Sequence, residues 1–439
     1  MENKPSIICP DGIQYWFKNY KFHRDNDKPA IICPDGTQKW YQNGELHRDG
    51  DKPAVIRSDG TQEWYRFGEL HRDEDSVDRG KPAIICSDGT QKWYQNGKLH
   101  RNSVDGDSVD GGKPASIKSN GTQEWYQNGE LHRDGDKPAI ICPDGTQKWY
   151  INGRLHRNSM DDKPALILPD GTQAWYRFGL LHRDGDSVDR GKPALILPNG
   201  TQEWHQHGRL HRDGDKPALI KEDGTQEWYQ NGMLHRDGDK PALIKPDGTQ
   251  EWYQNGMFHR DGDKPALIKP NGTQQWYRFG ELHRDGDKPA VIELDGQLWY
   301  KHGKLHRDNV NMGNMDNMGN MGNMGKPAII CYDGTQYWYR FGLLHRDYDK
   351  PAIMCSDGTQ KWYKCGKIYR DCDKPAIMCS DGIQYWYQNE KYHRDNDKPA
   401  IIWSDGTQYW YQHGKLHRDG DKPEIICSDG TELKITNEG

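Results

Sequence analysis

Three kinds of side chain recur along this chain at fixed spacing and are chemically able. The first is the triplet His-Arg-Asp, as in His47-Arg48-Asp49, which occurs thirteen times. In a phosphoryl-transfer loop the Asp of such a triplet accepts the substrate hydroxyl proton, but that chemistry also needs a Gly-rich phosphate loop, a paired Lys and an Asp-Phe-Gly segment. The sequence has none of these. The triplet therefore reads as a structural cluster, with Arg48 paired to Asp49 or Asp51 and His47 closing the loop. The second is the carboxylate set Asp49-x-Asp51 followed by Asp59. Lys52 sits within it, and it lacks the ligand density of a calcium loop. The His ladder at His23, His47, His71, His100 and His132 has no second His or Cys at zinc-ligand spacing. The third is the pair Trp40-Tyr41, since ladders of aromatic rings can hold sugars or cations.

All three sit in one repeated unit. A Lys-Pro pair opens a copy at seventeen places, from Lys4 to Lys422, and eleven of the sixteen intervals are 24 residues. A fixed period of this size marks a repeat array in which each copy contacts its neighbours. A catalytic site needs unlike residues converging in one pocket, and near-identical copies offer the same residues everywhere. The sequence therefore predicts no enzyme, no catalytic residue, no cofactor and no metal site.

Composition narrows the classes further. Hydrophobic residues make up only 33% of the chain, yet 17 Trp and 23 Tyr are placed periodically. A ring buries ~150–250 Å², so at ~25 cal/mol per Å² one Trp per copy supplies roughly 4–6 kcal/mol. That is enough for a thin repeat stacked on its neighbours. Sixty basic and sixty-six acidic residues leave a net charge of −6, interleaved within each copy. No basic stripe tracks phosphates, so nucleic acid is not an expected partner. No apolar run approaches the ~20 residues of a membrane span, and binding to a membrane surface is disfavoured by the charge. Met1 to Ser6 enters the repeat at once, without a signal peptide. Eight of the ten Cys share one repeat position, ~9–10 Å apart between copies, which is too far for disulfides. Free thiols and a cytoplasmic location are expected.

The elements that must position these residues follow from the copy at Lys28. Ala30 to Cys33 is a short β-branched run. Pro34-Asp35-Gly36-Thr37 is a turn, Gln38 to Gln42 an aromatic strand, Asn43-Gly44 a second turn, and Leu46-His47-Arg48 a short extended piece. A three-residue Pro-Asp-Gly loop with a Gly bulge pairs Cys33 with Thr37 and Ile32 with Gln38. It places Ala30, Ile32, Gln38 and Trp40 on one face, and Ile31, Cys33, Thr37, Lys39 and Tyr41 on the other. The second turn reads Arg66-Phe67-Gly68 in one copy. A Phe at positive φ is costly, so a bulged three-residue loop is expected there, with Leu46 opposite Trp40. Insertions fall between His-Arg and the next Lys-Pro, at Ser76–Gly80, Asn102–Gly112, Ser187–Gly191 and the Asn-Met-Gly segment Asn309–Gly325, which marks an exposed loop tip. The fold class is all-β: an elongated array of about sixteen 24-residue β-hairpin repeats forming one twisted sheet or flattened solenoid. Residues 1–421 form the array, with the low-complexity insert at 309–325, and 422–439 a truncated capping repeat.

The unit Asp-Gly-Thr-Gln-x-Trp-Tyr-x-Asn-Gly-x-Leu-His-Arg resembles MORN-type repeats, in the variant whose core is Tyr-x-Asn-Gly-x-Leu and whose long arrays occur in bacteria and giant DNA viruses. The resemblance implies a β-hairpin array used for protein association or membrane apposition. This chain adds a fixed Lys-Pro and His-Arg-Asp. A second likeness is to choline- and glucan-binding repeats, which also pair Trp-Tyr with an Asn-Gly turn. The expected function is a non-enzymatic scaffold that binds protein through an extended face, with Lys39, Tyr41, Glu63, Tyr65, Tyr94, Tyr126, Tyr229 and Tyr253 as the recognition residues. An aromatic-cage binder of carbohydrate or choline, or a structural rod of a virus particle, is the alternative.

Overall fold

A computed structural model describes residues 4–72, 80–101, 112–158, 162–183, 191–307 and 325–435. The chain divides into two compact units, residues 1–222 and 223–439, built from the same module. The described residues form strands and turns without a helix, so none of their helices is long and apolar enough to cross a membrane. The inserts Ser76–Gly80, Asn102–Gly112, Ser187–Gly191 and Asn309–Gly325 lie outside the described residues except for their closing glycines.

A regular copy holds four two-residue strands, in the copy from Lys28 Ile31–Ile32, Gln38–Lys39, Tyr41–Gln42 and Glu45–Leu46. The first two pair antiparallel, Ile31 opposite Lys39 and Ile32 opposite Gln38. The Cys33 N–H donates to the Thr37 carbonyl at 2.9 Å and the Gly36 N–H to Cys33 at 3.0 Å. The Asp35 carboxylate accepts from the Thr37 N–H and hydroxyl at 2.9 and 3.0 Å. This is the expected three-residue loop, with Gly36 at φ 92°. Gln38–Lys39 pairs on its other edge with Val55–Ile56 of the next copy. Every copy thus adds two strands to a growing antiparallel ladder. In the first unit it runs from Ile7–Ile8 to Leu219–Ile220, and in the second from Gln226–Glu227 to Glu432–Leu433.

Trp40 is the corner where the chain leaves this ladder. Its N–H donates to Ala54 of the next copy at 2.7 Å, and its carbonyl accepts from the His47 N–H at 3.1 Å. The chain then makes a second, separate hairpin in which Tyr41 faces Leu46 and Gln42 faces Glu45. Here the sequence expectation is corrected. The second turn is a two-residue type I′ turn, with φ 53° and 93° at Asn43-Gly44 and φ 48° and 83° at Phe67-Gly68, and Leu46 lies opposite Tyr41 rather than Trp40. Phe67 tolerates positive φ because its N–H donates to His47 Nδ1 at 3.3 Å. Its ring also stacks on the His47 imidazole at 4.6 Å and 12°. Successive side hairpins are tied tip to strand, the Gly68 N–H donating to the Leu46 carbonyl at 2.9 Å.

Burial also departs from the two-face reading. Ala30 is 0% and Trp40 6% exposed, but Ile31 (8%) and Thr37 (9%) of the opposite face are buried too, while Ile32 and Gln38 are half-buried. Ile31 lies next to the Trp40 corner. Thr37 is covered by the following turn, whose Ser58 N–H donates to its hydroxyl at 3.2 Å. With strands this short, proximity to the corner and to the next copy decides burial as much as side-chain alternation does.

Two copies depart from the module. Where the turn Thr is missing, the strands Val291–Glu293 and Gly296–Leu298 lengthen to three residues around a tighter turn. A Cβ on Gly296 would lie 2.3 Å from the Ile330 carbonyl oxygen of the next copy. The last copy keeps its first hairpin, Ile425 opposite Leu433, and Glu424 accepts the Ile435 N–H at 2.9 Å. Gly296→Ala must displace backbone, so it should cost about 1–3 kcal/mol. Hydrogen exchange should show faster amides at Val291–Leu298 and Ile329–Cys331, whereas Gly36→Ala, with nothing within 4 Å of the added Cβ, should cost only the ~1–2 kcal/mol of its left-handed backbone.

Candidate functional site: the joint between repeats

The chemically able residues converge at the junction between copies. In sixteen copies the Arg of His-Arg, or of Tyr369-Arg370 in one of them, lies over its own Trp, with the guanidinium carbon 3.6 to 4.0 Å from the ring centroid. Over Trp40 the distance to Arg48 is 3.8 Å. These indoles are 4 to 7% exposed. The seventeenth Trp, Trp403, sits in the Cys slot and is 45% exposed.

Lying on Trp40 turns Arg48 toward the preceding copy. Its Nε and NH2 donate to the two carboxylate oxygens of Asp27 at 2.6 and 3.1 Å, and its NH1 donates to the Pro53 carbonyl at 3.2 Å. The expected partner was Asp49 or Asp51, which follow Arg48 in sequence. Both are ruled out because the stack points the fork the other way. Lys52 Nζ donates to the same Asp27 carboxylate at 2.7 Å, and the Trp40 indole N–H donates to the Asp27 carbonyl at 3.1 Å. Asp27 thus receives three side chains from the following sequence. The clamp recurs, for example with Asp263 receiving Arg284 and Lys288, and Asp373 receiving Arg394 and Lys398. An ionised, bidentate arginine pair is a strong hydrogen-bonded contact. The Arg48 hydrogen bonds hold the Asp27 carboxyl at about 2, below its ordinary 3.8, against the opposing effect of partial burial. Asp51, Asp239, Asp263, Asp349, Asp373 and Asp397 are likewise held at about 2 by their arginines.

His47 completes the joint. Its Nε2 lies 3.0 Å from Asp49 Oδ1, while its Nδ1 accepts the Phe67 N–H of the next tip. Asp49 is an acceptor and the backbone N–H a donor, so the ring proton belongs on Nε2. His23 does the same for Asn43, and His345 for Cys365. The triplet is therefore a set of three contacts with three different partners. Among the described residues no group of three or more His, Cys, Asp or Glu is placed to hold a metal ion.

The predicted recognition residues lie on the sheet and side hairpin. Lys39, Tyr41, Tyr65, Tyr94, Tyr126, Tyr229 and Tyr253 are half-buried. Glu63 is 5% exposed and accepts from Arg57 at 2.6 Å and from the Tyr65 hydroxyl at 3.0 Å. The Tyr126, Tyr229 and Tyr253 hydroxyls donate to Glu124, Glu227 and Glu251 at 3.3, 2.8 and 2.9 Å. Burial, reinforced by the neighbouring glutamate, pushes the Tyr65 and Tyr126 phenols up to about 12. The hydroxyls of Tyr65, Tyr126, Tyr229 and Tyr253 are thus engaged within the fold. What the residue pattern did not flag is the tip of the side hairpin. Phe67, Phe178, Phe279 and Phe341 are 54 to 62% exposed, and each ring stacks on a histidine of the preceding copy at 4.5 to 4.7 Å. The available signal was the recurrence of Arg-Phe-Gly at a turn where Asn-Gly is the norm.

Fold and joint together define a tandem β-hairpin repeat protein. Beyond that class, no known protein family matches the chain, and comparison with curated proteins finds no match.

The clamp aspartates are held below their ordinary value, so they stabilise the fold above about pH 4 and lose that contribution as pH falls through about 2. Thermal unfolding followed by circular dichroism should give a midpoint that is flat from neutral pH to about pH 5 and then drops steeply toward pH 2. Arg48→Lys keeps the charge but loses the fork and the flat stack. It should cost about 1–2 kcal/mol, read as faster amide exchange at Trp40 and Ala54 with distant copies unchanged.

Proposed function

We propose that this chain is a non-enzymatic scaffold that binds protein partners through its repeated hairpin tips. The observation behind this is the exposed Phe at the tips of Phe67, Phe178, Phe279 and Phe341. A soluble surface seldom presents large apolar side chains at the same structural position repeatedly without use. These rings are fixed in advance by the histidine stack and the Nδ1 hydrogen bond, which lowers the ordering cost of binding. Each is preceded by an exposed arginine, Arg66, Arg177, Arg278 or Arg340. Two of these tips add exposed Leu180 (51%) and Leu343 (51%), and two other tips add Met233 (45%) and Met257 (44%). Aromatic, arginine and methionine side chains are enriched where proteins bind proteins. The half-buried tyrosine row flanks these tips and supplies the more polar margin. The likeness of Tyr-x-Asn-Gly-x-Leu to MORN-type repeats supports the same reading, and the free thiols of all ten cysteines fit a reducing, cytoplasmic setting.

The aromatic-cage alternative is disfavoured because the Trp face that a sugar or choline would need is occupied by an arginine. A variant with all four tip phenylalanines changed to Ser should keep a wild-type circular dichroism spectrum and a midpoint within a few degrees. It should lose the proteins that the wild type retains from extract of the native cell. Retention of the same proteins by the variant would sink the tip reading. Choline or glycan binding abolished by Trp40→Ala in a folded variant would replace it with the cage.

A further inference from the structure

One hairpin tip carries a nucleophile against a base. At the first turn residue of the side hairpin, where other copies have Asn, Phe or His, the copy from Lys350 has Cys365. Cys365 and Gly366 take φ 50° and 82°. The Gly366 N–H donates to the Leu344 carbonyl at 2.8 Å, and the Cys365 N–H donates to His345 Nδ1 at 3.0 Å. The Cys365 Sγ then lies 3.6 Å from the same Nδ1, where a thiol can share that lone pair. His345 is 9% exposed, and its Nε2 lies 2.9 Å from Asp347 Oδ1. The carboxylate keeps the ring proton on Nε2, so the Nδ1 lone pair faces the tip. The thiol itself is exposed. An accessible nucleophile, a base against it and a third group orienting the base are the parts of an activated cysteine. The other cysteines are placed differently. The eight that precede the first turn are half-buried, and burial pushes the thiols of Cys86, Cys331 and Cys379 up. Cys372 is exposed, but it lies in the loop between copies, between Asp371 and Asp373.

We propose that Cys365 is a nucleophilic thiol that exchanges with small disulfides, with His345 as its base. The Cys365 sulfur attacks one sulfur of the disulfide while its proton passes to His345 Nδ1. A new S–S bond forms to Cys365, the S–S bond of the disulfide breaks, and the departing thiolate takes the proton from the imidazolium. Cys365 ends oxidised as a mixed disulfide, and the other half of the disulfide leaves reduced as a thiol. While Nδ1 carries the proton it releases the Cys365 N–H, and the Gly366 bond to Leu344 holds the turn. Lys364 and Lys367 stand opposite each other on the two strands of this hairpin and are exposed. They give the tip positive charge, which favours approach of a disulfide bearing carboxylates. The proposal does not rest on protein binding at the tips, because its test reads sulfur chemistry and not capture of a partner.

The test uses the full chain, reduced and then freed of reductant. Brief labelling with iodoacetamide at neutral pH, read by peptide mass spectrometry, should alkylate Cys365 roughly ten-fold or more faster than Cys372. In His345→Tyr the Cys365 rate should fall to that of Cys372. This variant has a precedent within the chain, since Tyr369 fills the histidine place in the next copy and donates its hydroxyl to Asp371. Losing the Nδ1 contact can only free the tip and expose the sulfur further, so a slower reaction reports the missing base. With oxidised glutathione, the mixed disulfide should appear at Cys365 before any other cysteine and be reversed by dithiothreitol. Equal labelling of Cys365 and Cys372 in the wild type, an unchanged Cys365 rate in His345→Tyr, or a mixed disulfide forming first at another cysteine overturns the proposal.

Discussion

The regular joints of this fold depend on a guanidinium held between a tryptophan and an aspartate of the preceding copy. A 24-residue unit with four two-residue strands has too little core to fold alone. Its one large buried side chain is an indole with one face against an arginine. In the regular joints a carboxylate from the copy before it meets the fork of the arginine and offsets its desolvation. Backbone pairing, indole burial and ion pairing therefore all require the neighbour, and each copy both gives and receives. Stability in such a chain accrues from interfaces rather than from a centre.

That dependence explains what was legible in the sequence. The first turn could be read because Pro34, Asp35, Gly36 and Thr37 each have a local reason to be there, and the observed hydrogen bonds are the expected ones. The all-β class followed from the same local signals and the period. The second turn was misjudged. The conformational cost of Phe67 is local, but what offsets it, the imidazole of His47, arrives from the copy before. The partner of Arg48 departs from the sequence expectation for the same reason: Asp27 lies outside the unit that begins at Lys28. A trace was present, since the residue before Lys-Pro is Asp in regular copies and Gly where one of the longer inserts precedes it, as at Gly80 and Gly325. Read as a contact between copies, that substitution would have pointed to the partner of the arginine.

The roles within His-Arg-Asp also show why a short motif says little about activity. In this chain the aspartate orients an imidazole, the imidazole accepts a backbone N–H, and the arginine reaches back to another carboxylate. In the copy from Lys28 each of the three side chains finds its partner within the array. The surfaces left over are the sheet with its tyrosines and the side-hairpin tips.

The histidine contact at those tips has an evolutionary consequence. Because Nδ1 grips the backbone of the tip residue and not its side chain, the turn keeps its shape whatever residue stands there. The chain uses this freedom: Asn43, Phe67, His207 and Cys365 all occupy the position with φ between 48° and 53°. The tip therefore behaves as an interchangeable head on a fixed mount. A lineage carrying this array could retune what it touches, one copy at a time, by single codon changes that leave the architecture undisturbed.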